Sequence, residues 1–461
     1  SIRESSEGNE DRNEKEDEMS LNDESEVKKF LKKLIYFVKQ KNLIHESSPT
    51  KRRDMREVIS LLKQPLAHLP QGKRDSAIQH TENSLIYIDK ALSEIKDLSE
   101  FKTDVNFAFF VLLSCSKIYR LLGDFEKAKN VLTNTIQLSD RLKNARYLAL
   151  AKLNMGKHYY EQYEFANSIS CLREAAEKFK NINDFKGELD CYFDMGKVFH
   201  RSADYFSAKK YYEIALRLAE GIANKRKLAY VKSGLGVVAR ILGESEQSEY
   251  LFKCANETFK AIKEFNGQSD CLNNLAIIYL QRSNYQHALT YLNDGLEISR
   301  KIEDYQQMAF INLNKALFYL EVGDSRNACK YCTEALHILA RIDSSLGLAK
   351  ACKILGSVFC KYNQFKIASL FYEESIHYYE EFHIPLGIAN TCSEYAKMLI
   401  EFEKIDSAAD YFHKAYEIYQ DLKLFNHTER LRVFLSAPEN DWFDLLHNQD
   451  VISETIHQEY N

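Results

Sequence analysis

The feature that most constrains this chain is a series of small residues that returns every forty positions. Three such ladders run in parallel, the second twelve residues after the first and the third seven residues after the second. The first ladder consists of Ser116, Gly156, Gly196, Gly236, Ala276, Ala316, Gly356 and Ala396. The second consists of Ala128, Ser168, Ala208, Ser248, Ala288, Ala328, Ala368 and Ala408. The third consists of Thr135, Ala175, Ala215, Ala255, Gly295, Ala335, Ser375 and Ala415. All twenty-four positions hold Gly, Ala, Ser or Thr, which chance does not produce, so the chain is an array of eight equal units.

Each unit has the pattern of two amphipathic helices joined by a short turn. The units run 101–140, 141–180, 181–220, 221–260, 261–300, 301–340, 341–380 and 381–420. Turns such as Gly123-Asp124 and Gly243-Glu244 contain residues that tolerate left-handed backbone. Small side chains let two helices approach closely, whereas a large side chain would force them apart. The pattern therefore predicts an all-α fold of stacked helical hairpins, each in contact mainly with its neighbours.

Composition narrows the class of protein further. The 461 residues include only 5 prolines and 16 glycines, which favours helices over a β-fold rich in tight turns. The net charge of −5 gives no general attraction to nucleic acid. The 10 cysteines are scattered without the framework of a secreted disulfide domain, which predicts a cytoplasmic protein. The sequence contains no run of eighteen or more apolar residues, so no membrane span is predicted. Because the chain begins at Ser1 and no signal peptide is visible, we expect a processed or excised piece of a longer protein.

The N-terminal hundred residues carry two opposite charge patterns. Residues 1–26 hold eleven acidic and three basic side chains with almost nothing apolar, which predicts disorder. Residues 27–100 are predicted to be a helical region with a possible degenerate repeat. Within it, residues 27–44 are predicted to form a basic amphipathic helix. This helix either packs its apolar side on the repeats or makes a peripheral contact with a membrane surface or partner.

The repeat pattern fades after residue 420. Residues 421–461 are predicted to form a capping helix followed by a flexible tail. The tail contains the only tryptophan, Trp442, with Phe443, Leu445 and Leu446 close by. These residues form either a short docking motif or a segment that packs on the last repeat.

One unit displays the motif that carries a family resemblance. Leu355-Gly356-x-x-Phe359, Asn363-Gln364-Phe365, Ala368, Tyr372 and Ser375 together resemble the tetratricopeptide repeat. The period is forty rather than thirty-four, and the proline that usually closes the second helix is missing, so longer helices are expected. Four closing segments are similar to the forty-residue subclass found in Leu-Gly-Asn-type polarity adaptors and Rap-type bacterial peptide-responsive regulators: Asp184–Gly187, Glu264–Gly267, Ser344–Gly347 and His383–Gly387. The resemblance implies a right-handed α-solenoid whose first helices line a concave, partner-binding groove.

Basic residues recur at positions that correspond to this groove. Lys117, Lys157 and Lys197 repeat at forty-residue spacing beside the first ladder, and stacking would place them roughly 10 Å apart. Three arginines lie nearby on the same helices: Arg120, Arg201 and Arg240. Aligned cations repel one another, so this row is expected to offer its charge to an acidic ligand. The alternative is solvated surface charge.

Asparagines form a second candidate set one residue before the packed Leu or Met position. They are Asn154, Asn274 and Asn314. In peptide-binding members of the resembled family, an asparagine at this place clamps the ligand backbone. An amide can do so without reading sequence because it both donates and accepts hydrogen bonds. The alternative is asparagine on a helix surface.

No catalytic motif is apparent, and the sequence predicts neither an enzyme nor a cofactor or metal site. Cys329-x-x-Cys332 lies within a predicted helix without a second pair at zinc-site spacing, which favours core or surface cysteines. Nucleic acid is disfavoured by the net acidity. The hypothesis is therefore a non-enzymatic adaptor that binds a peptide or an extended, acidic partner segment. The alternatives are a peptide-responsive regulator, or sensor region of a larger signalling protein, and a structural role in an assembly.

Overall fold

The computed structural model describes residues 102–121, 123–341 and 344–447. The predicted acidic segment 1–26, the helical region 27–100 with its basic helix 27–44, and the end of the C-terminal tail lie outside the described residues. The described part contains eighteen α-helices and no strand, which confirms the predicted all-α class. The predicted domain boundaries stay predictions.

The helices form consecutive antiparallel hairpins. The first helices of the hairpins are α1 (Lys102–Leu121), α3 (Ala145–Glu161), α5 (Phe185–Arg201), α7 (Lys225–Ile241), α9 (Phe265–Gln281), α11 (Tyr305–Glu321), α13 (Ser345–Lys361) and α15 (Pro385–Glu401). The second helices are α2 (Phe125–Arg141), α4 (Phe165–Asn181), α6 (Tyr205–Gly221), α8 (Ser245–Ala261), α10 (Tyr285–Lys301), α12 (Ser325–Arg341), α14 (Phe365–Glu381) and α16 (Ile405–Asp421). After them follow α17 (Phe425–Ser436), a 3₁₀ turn (Glu439–Asp441) and α18 (Trp442–His447).

Three-residue connections join α2 to α17, so successive helices begin every twenty residues. The link between α2 and α3 illustrates how so short a connection satisfies both helix ends. Lys143 adopts left-handed backbone with φ of 49°, and the Asn144 amide then donates to the Ser139 carbonyl at 3.2 Å. The Asn144 side chain in turn accepts a hydrogen bond from the Tyr147 amide at 3.1 Å, so one residue closes α2 and caps α3.

All twenty-four ladder positions are buried. A Cβ atom at Gly196 would lie 2.6 Å from the Tyr212 ring, so only glycine permits this approach of α5 and α6. In two other hairpins, α3–α4 and α7–α8, ladder serines form hydrogen bonds across the corresponding gap. Ser168 donates to the Gly156 carbonyl at 2.7 Å, and Ser248 donates to the Gly236 carbonyl at the same distance.

A second set of glycines lies between consecutive hairpins rather than within them. Gly187 lies against Phe179, Gly267 against Phe259, Gly347 against Leu339 and Gly387 against Tyr379. Each glycine belongs to a first helix, and each large side chain belongs to the second helix of the preceding hairpin. The closing segments that resemble the forty-residue subclass therefore mark the places where one hairpin stacks on the next.

The chain divides into two compact units, residues 1–191 and 192–461, and α5 contains the division. In the second unit, the first helices of successive hairpins contact one another directly from α7 through α15. Successive second helices of the described residues have at most marginal contact. Because the first-helix side is the more tightly spaced one, it is the concave side of this unit.

The end of the chain packs on the last hairpin. Trp442 is 2% exposed, and its ring centroid lies 5.5 Å from that of Phe412 and 6.4 Å from that of Phe434. Phe443 is 49% exposed. For Trp442 the structure therefore favours packing on the last repeat over a free docking motif. Among the described residues, no helix combines the length and apolar character that crossing a membrane requires.

Candidate functional site

The predicted cationic residues of the first unit lie on α1 and α3. Lys117 on α1 and Lys157 on α3 are half-buried. Arg120 is buried, and its Nη1 lies 3.3 Å from Oε1 of Glu161. The carboxylate of Glu161 thus compensates Arg120, and the ion pair joins α1 to α3.

The second unit holds the remaining predicted cations. On α5, the Lys197 ammonium lies 3.2 Å from the Asp194 carboxylate and 5.5 Å from the centre of the Phe193 ring. Arg201, near the end of the same helix, is half-buried. Because Lys197 already has an acidic partner, its charge is less available to a ligand than the sequence pattern implies. The row of three lysines includes residues of both units and stays a prediction.

The three predicted asparagines have different surroundings. Asn154 and Asn274 each donate from the side chain to a carbonyl one turn earlier, of Leu150 and Asp270 respectively, both at 2.9 Å. These two side chains are half-buried. Asn314 is fully buried. Its side-chain amide nitrogen and oxygen both bond to other side chains of the protein. The Asn314 amide is therefore used within the protein rather than offered to a ligand.

Asn314 connects three successive first helices of the second unit. Its Nδ2 donates to Oδ1 of Asn273 on α9 at 2.6 Å, and its Oδ1 accepts from the Lys350 ammonium of α13 at 3.0 Å. The same ammonium lies 5.8 Å from the centre of the Phe310 ring on α11. Lys350 is therefore positioned by neutral groups, an amide oxygen and an aromatic face.

The electrostatic surroundings of Lys350 are cationic. Burial, followed by the charges of Lys353 and Arg240, lowers its pKa to about 7. Burial also lowers the pKa of Arg240. The neighbouring His200 has its pKa lowered to about 4 by burial and by the charge of Arg240, so this imidazole is neutral at pH 7. Cations from α7 and α13 thus act on one another within the second unit.

One carboxylate, that of Glu394, acts on this group of cations. Glu394 on α15 forms an ion pair with Lys397 at 3.2 Å, and its charge also acts on Lys353. Burial and the Lys397 charge lower the pKa of Lys353 despite Glu394. We define the concave cluster as Arg240, Lys350, Lys353, Glu394 and Lys397.

The sequence pattern predicted Arg240 and Asn314 as site residues, whereas it did not single out Lys350, Lys353 or Asn273. The forty-residue spacing of Asn274 and Asn314 leads next to position 354, which is Ile354. Lys350 lies one helical turn before it. Following that ladder back by one turn would have found it, because residues four apart lie on the same helix face.

The cysteine pair is part of the helix packing. Cys332 is buried and Cys329 is half-buried, and burial raises the pKa of the Cys332 thiol to about 12. No group of three or more potential metal ligands occurs within the residues that the structure covers. The predicted assignment of these cysteines to the core or the surface agrees with their positions.

Comparison with known families identifies the repeats. Residues 227–301, which comprise the hairpins α7–α8 and α9–α10, match the family model described as tetratricopeptide repeat. These two hairpins are tetratricopeptide repeats. The search of curated proteins found no match.

Several solved structures are similar to this chain in fold. Aspartyl phosphate phosphatase F from Bacillus subtilis is 13% identical, with 87% of this chain and 96% of that chain covered and a TM-score of 0.54. The apo form of the quorum sensor NprR from B. thuringiensis is 16% identical, with coverages of 79% and 99% and a TM-score of 0.52. The Rap conjugation gene regulator of the plasmid pLS20, in complex with the Phr* peptide, is 17% identical, with coverages of 79% and 97% and a TM-score of 0.51. At these identities the likeness shows a shared fold, and the predicted resemblance to Rap-type repeats is confirmed at that level.

Proposed function

We propose that this tetratricopeptide-repeat protein is a non-enzymatic binding protein whose concave first-helix side holds an extended peptide segment. The observation that carries the proposal is the polar chain from Asn273 through Asn314 to Lys350, which connects three successive first helices on that side. Helix surfaces that face solvent have no need of such a chain. A peptide lying across the first helices would meet amides and cations at regular intervals.

The roles of the predicted residues follow from their surroundings. Half-buried Asn154 and Asn274 bind the peptide backbone, whereas buried Asn314 holds Lys350 in place. Cations neutralise acidic groups of the ligand, and in the second unit Arg240 is the candidate without an ion pair. The further proposed contributors are Lys197 and Arg201 in the second unit and Lys117, Arg120 and Lys157 in the first.

The fold is compatible with this use. The Rap conjugation gene regulator has been solved in complex with the Phr* peptide, and NprR has been solved in complex with its cognate peptide NprX. Both are similar to this chain in fold. The transfer to this chain rests on its own concave amides and cations.

Affinity capture from the native extract, with substitution of Asn274, tests the proposal. The full chain should retain a peptide or partner segment, and Asn274→Ala should weaken its binding by about 1 kcal/mol because a backbone hydrogen bond is lost. Asn134→Ala is the matched control, since Asn134 is exposed on the second helix α2. Equal retention by Asn274→Ala and the wild type would remove the asparagine role. Failure of the wild type to retain any peptide or protein would remove the proposed function.

A peptide-responsive regulator is the second candidate, and one contact favours it. The side chain of Asn426, at the start of α17, lies directly against Gly243 in the turn between α7 and α8. Elements far apart in sequence therefore meet within the second unit, and a ligand bound between them would alter their spacing. In small-angle scattering, a regulator would change its radius of gyration on binding the captured peptide, whereas a simple adaptor would keep it.

A further inference from the structure

One contact in the second unit joins elements that are far apart in the stack. Stacked repeats contact mainly the repeats next to them. A Cβ atom added at Gly243, in the turn between α7 and α8, would nevertheless meet the side-chain amide of Asn426, the second residue of α17. Four complete hairpins, α9 to α16, separate these two residues along the chain. The second unit therefore curves until its early and late parts touch.

The register of the two elements shows which side of the unit this contact closes. The helix α7 is a first helix, and α17 begins at Phe425, forty residues after the start of α15 at Pro385. The helix α17 thus takes the register of a first helix, and its packing against Phe412 and Trp442 attaches it to the last hairpin. The row of first helices from α9 to α15 lies between α7 and α17. The contact therefore joins the two ends of the concave side.

The closing contact is made by exposed groups rather than by a core. Gly243 and Asn426 are both exposed, and so is Phe425 beside them. A polar contact at an exposed place contributes little net free energy, because water competes for the same groups. The contact can therefore break while the hairpins on both sides keep their own packing.

Like charges oppose the same approach. Arg240 lies on α7 three residues before Gly243, and its charge acts on Lys350 of α13. Bringing the end of α7 toward the later hairpins therefore costs electrostatic free energy, which the closing contact must offset. A weak attraction set against a repulsion gives two arrangements of similar free energy.

We propose that the turn between α7 and α8 and the start of α17 form a gate over the concave side of the second unit. The Gly243–Asn426 contact closes the gate, and the repulsion between Arg240 and Lys350 opens it. The use of the gate rests on the proposed function, since it regulates access to the concave side. Its existence does not depend on a ligand, so it is measured on the full chain without one.

The substitution Gly243→Asn tests the closing contact directly. Gly243 has left-handed backbone with φ of 84°, which asparagine tolerates. Asn363 already occupies the equivalent position in the turn between α13 and α14, with φ of 56°. The added side chain would take the space of the Asn426 amide and hold the gate open. Gly323→Asn is the matched control, because Gly323 has φ of 82° in the turn between α11 and α12 and a Cβ there would meet nothing within 4 Å.

Small-angle X-ray scattering of the unliganded chain gives the readout. Gly243→Asn should increase the radius of gyration, whereas Gly323→Asn should leave it as in the wild type. Asn426→Ala removes the amide without adding bulk and should act in the same direction as Gly243→Asn. Circular dichroism of each variant checks that its helix content is that of the wild type. Equal radii for Gly243→Asn, Gly323→Asn and the wild type would overturn the gate.

The salt dependence tests the opposing charges. Raising the salt concentration from about 0.02 M to about 0.5 M screens the repulsion, so the radius of gyration of the wild type should decrease. Arg240→Gln removes one of the two charges and should be compact already at low salt. Lys366→Met is the matched control because Lys366 is exposed on α14 and the change in net charge is the same. A salt response of Arg240→Gln equal to that of Lys366→Met would remove the repulsion from the gate.

The pH dependence gives a readout that a merely structural lysine would not move. The charged groups that act on Lys350 are Lys353 on its own helix and Arg240 on α7, while its contacts on α11, Asn314 and Phe310, are neutral. Burial and these cations lower the pKa of Lys350 to about 7, so its repulsion is present below that pH and lost above it. Raising the pH from about 6.5 to about 8.5 should therefore decrease the radius of gyration. Lys350→Arg should show little change over this range, because arginine stays charged.

Two other groups of the unit bear on this titration. Burial and the Asp304 charge raise the pKa of Asp270 on α9 to about 7 as well. Asp270→Asn should keep the compaction above pH 7 if Lys350 causes it, and loss of the compaction in this variant would assign it to Asp270. His427, beside the closing contact, has its pKa lowered by burial and by the charge of Arg430, so it stays neutral above its ordinary range.

The gate and the proposed function fail separately. If Gly243→Asn and Asn426→Ala scatter as the wild type does, the gate is wrong, and capture of a peptide by the wild type would still support the proposed function. If the two variants expand but the wild type captures no peptide or protein, the gate stands and the proposed function fails.

Discussion

The Tyr212 ring fills the space into which a side chain at position 196 would extend. A Cβ atom there would lie 2.6 Å from the ring, well inside ordinary van der Waals contact. The same relation holds at Gly236, where Phe252 is the neighbour at 3.0 Å. In each pair, the glycine leaves free the space that the aromatic ring of the other helix occupies.

Gly196→Ala should therefore lower the free energy of unfolding by about 1–3 kcal/mol, because the added methyl group must displace Tyr212. Gly221 supplies the matched control. It is the last residue of α6, and an added Cβ would meet nothing within 4 Å. Gly221→Ala should be neutral or stabilising by roughly 0.5 kcal/mol, since alanine favours helix over glycine. Urea denaturation of both variants measures the difference, and equal midpoints would contradict the packing argument.

Residue identity predicted the packing well and the site only in part. The ladders could be read from the sequence because a short side chain at a fixed spacing has one evident use. Lys350 could not, because its surroundings depend on how α9, α11 and α13 stack, which the sequence does not state. The amide pair of Asn273 and Asn314 is likewise a relation between helices, set by the curvature of the unit.

At the level of the element, every described connection between helices from α2 to α17 has three residues, and its middle residue has left-handed backbone wherever the structure describes it. Twelve of these residues are not glycine. They are Lys143, Tyr163, Asn183, Ala203, Ala223, Lys263, Ser283, Glu303, Asn363, His383, Glu403 and Lys423. The sequence predicted such turns only within the hairpins, from a preference for Gly, Asn and Asp. The connections tolerate less suitable residues because the helices on both sides fix the geometry.

The third residue of each connection is the N-cap of the next helix, and its quality varies. Asp204 accepts a hydrogen bond from the Ser207 amide at 3.0 Å, whereas Lys404 caps α16 without a side-chain hydrogen bond. A lysine ammonium at this end also opposes the helix dipole.

Lys404→Asp should raise the free energy of unfolding by about 1 kcal/mol, because it adds a cap acceptor and removes an unfavourable charge. Lys404→Asn adds only the acceptor, and Lys404→Ala adds neither acceptor nor negative charge. Thermal melts of the three variants should rank Asp above Asn and Asn above Ala. A ranking with Ala highest would mean that the backbone at this link does not permit capping.

At the level of the whole molecule, stability is expected to be local, since each hairpin contacts mainly its neighbours. The C-terminal cap is an example. The Trp442 ring contacts Phe412 and Phe434, and its Nε1 donates to the Ala437 carbonyl at 3.3 Å. This small cluster attaches α17 and α18 to the last hairpin.

Trp442→Ala should destabilise that end by about 3–5 kcal/mol through the loss of a buried aromatic side chain. Hydrogen exchange followed by mass spectrometry should show faster exchange in residues 425–447 and unchanged exchange in α9 to α12. Phe443→Ala, which alters a 49% exposed side chain, should leave both regions as in the wild type. Uniform acceleration along the second unit would indicate global cooperativity instead.

The uniform three-residue length of the described connections between α2 and α17 limits which insertions and deletions this chain can accept. Inserting one residue into a helix would rotate everything beyond it by about 100°, and so would turn the next glycine away from the ring it must accommodate. Lengthening a three-residue link would separate a helix end from the cap that closes it. Viable insertions and deletions should therefore remove or duplicate a complete forty-residue block, so that copy number, rather than loop length, is the quantity free to vary among descendants of such a protein.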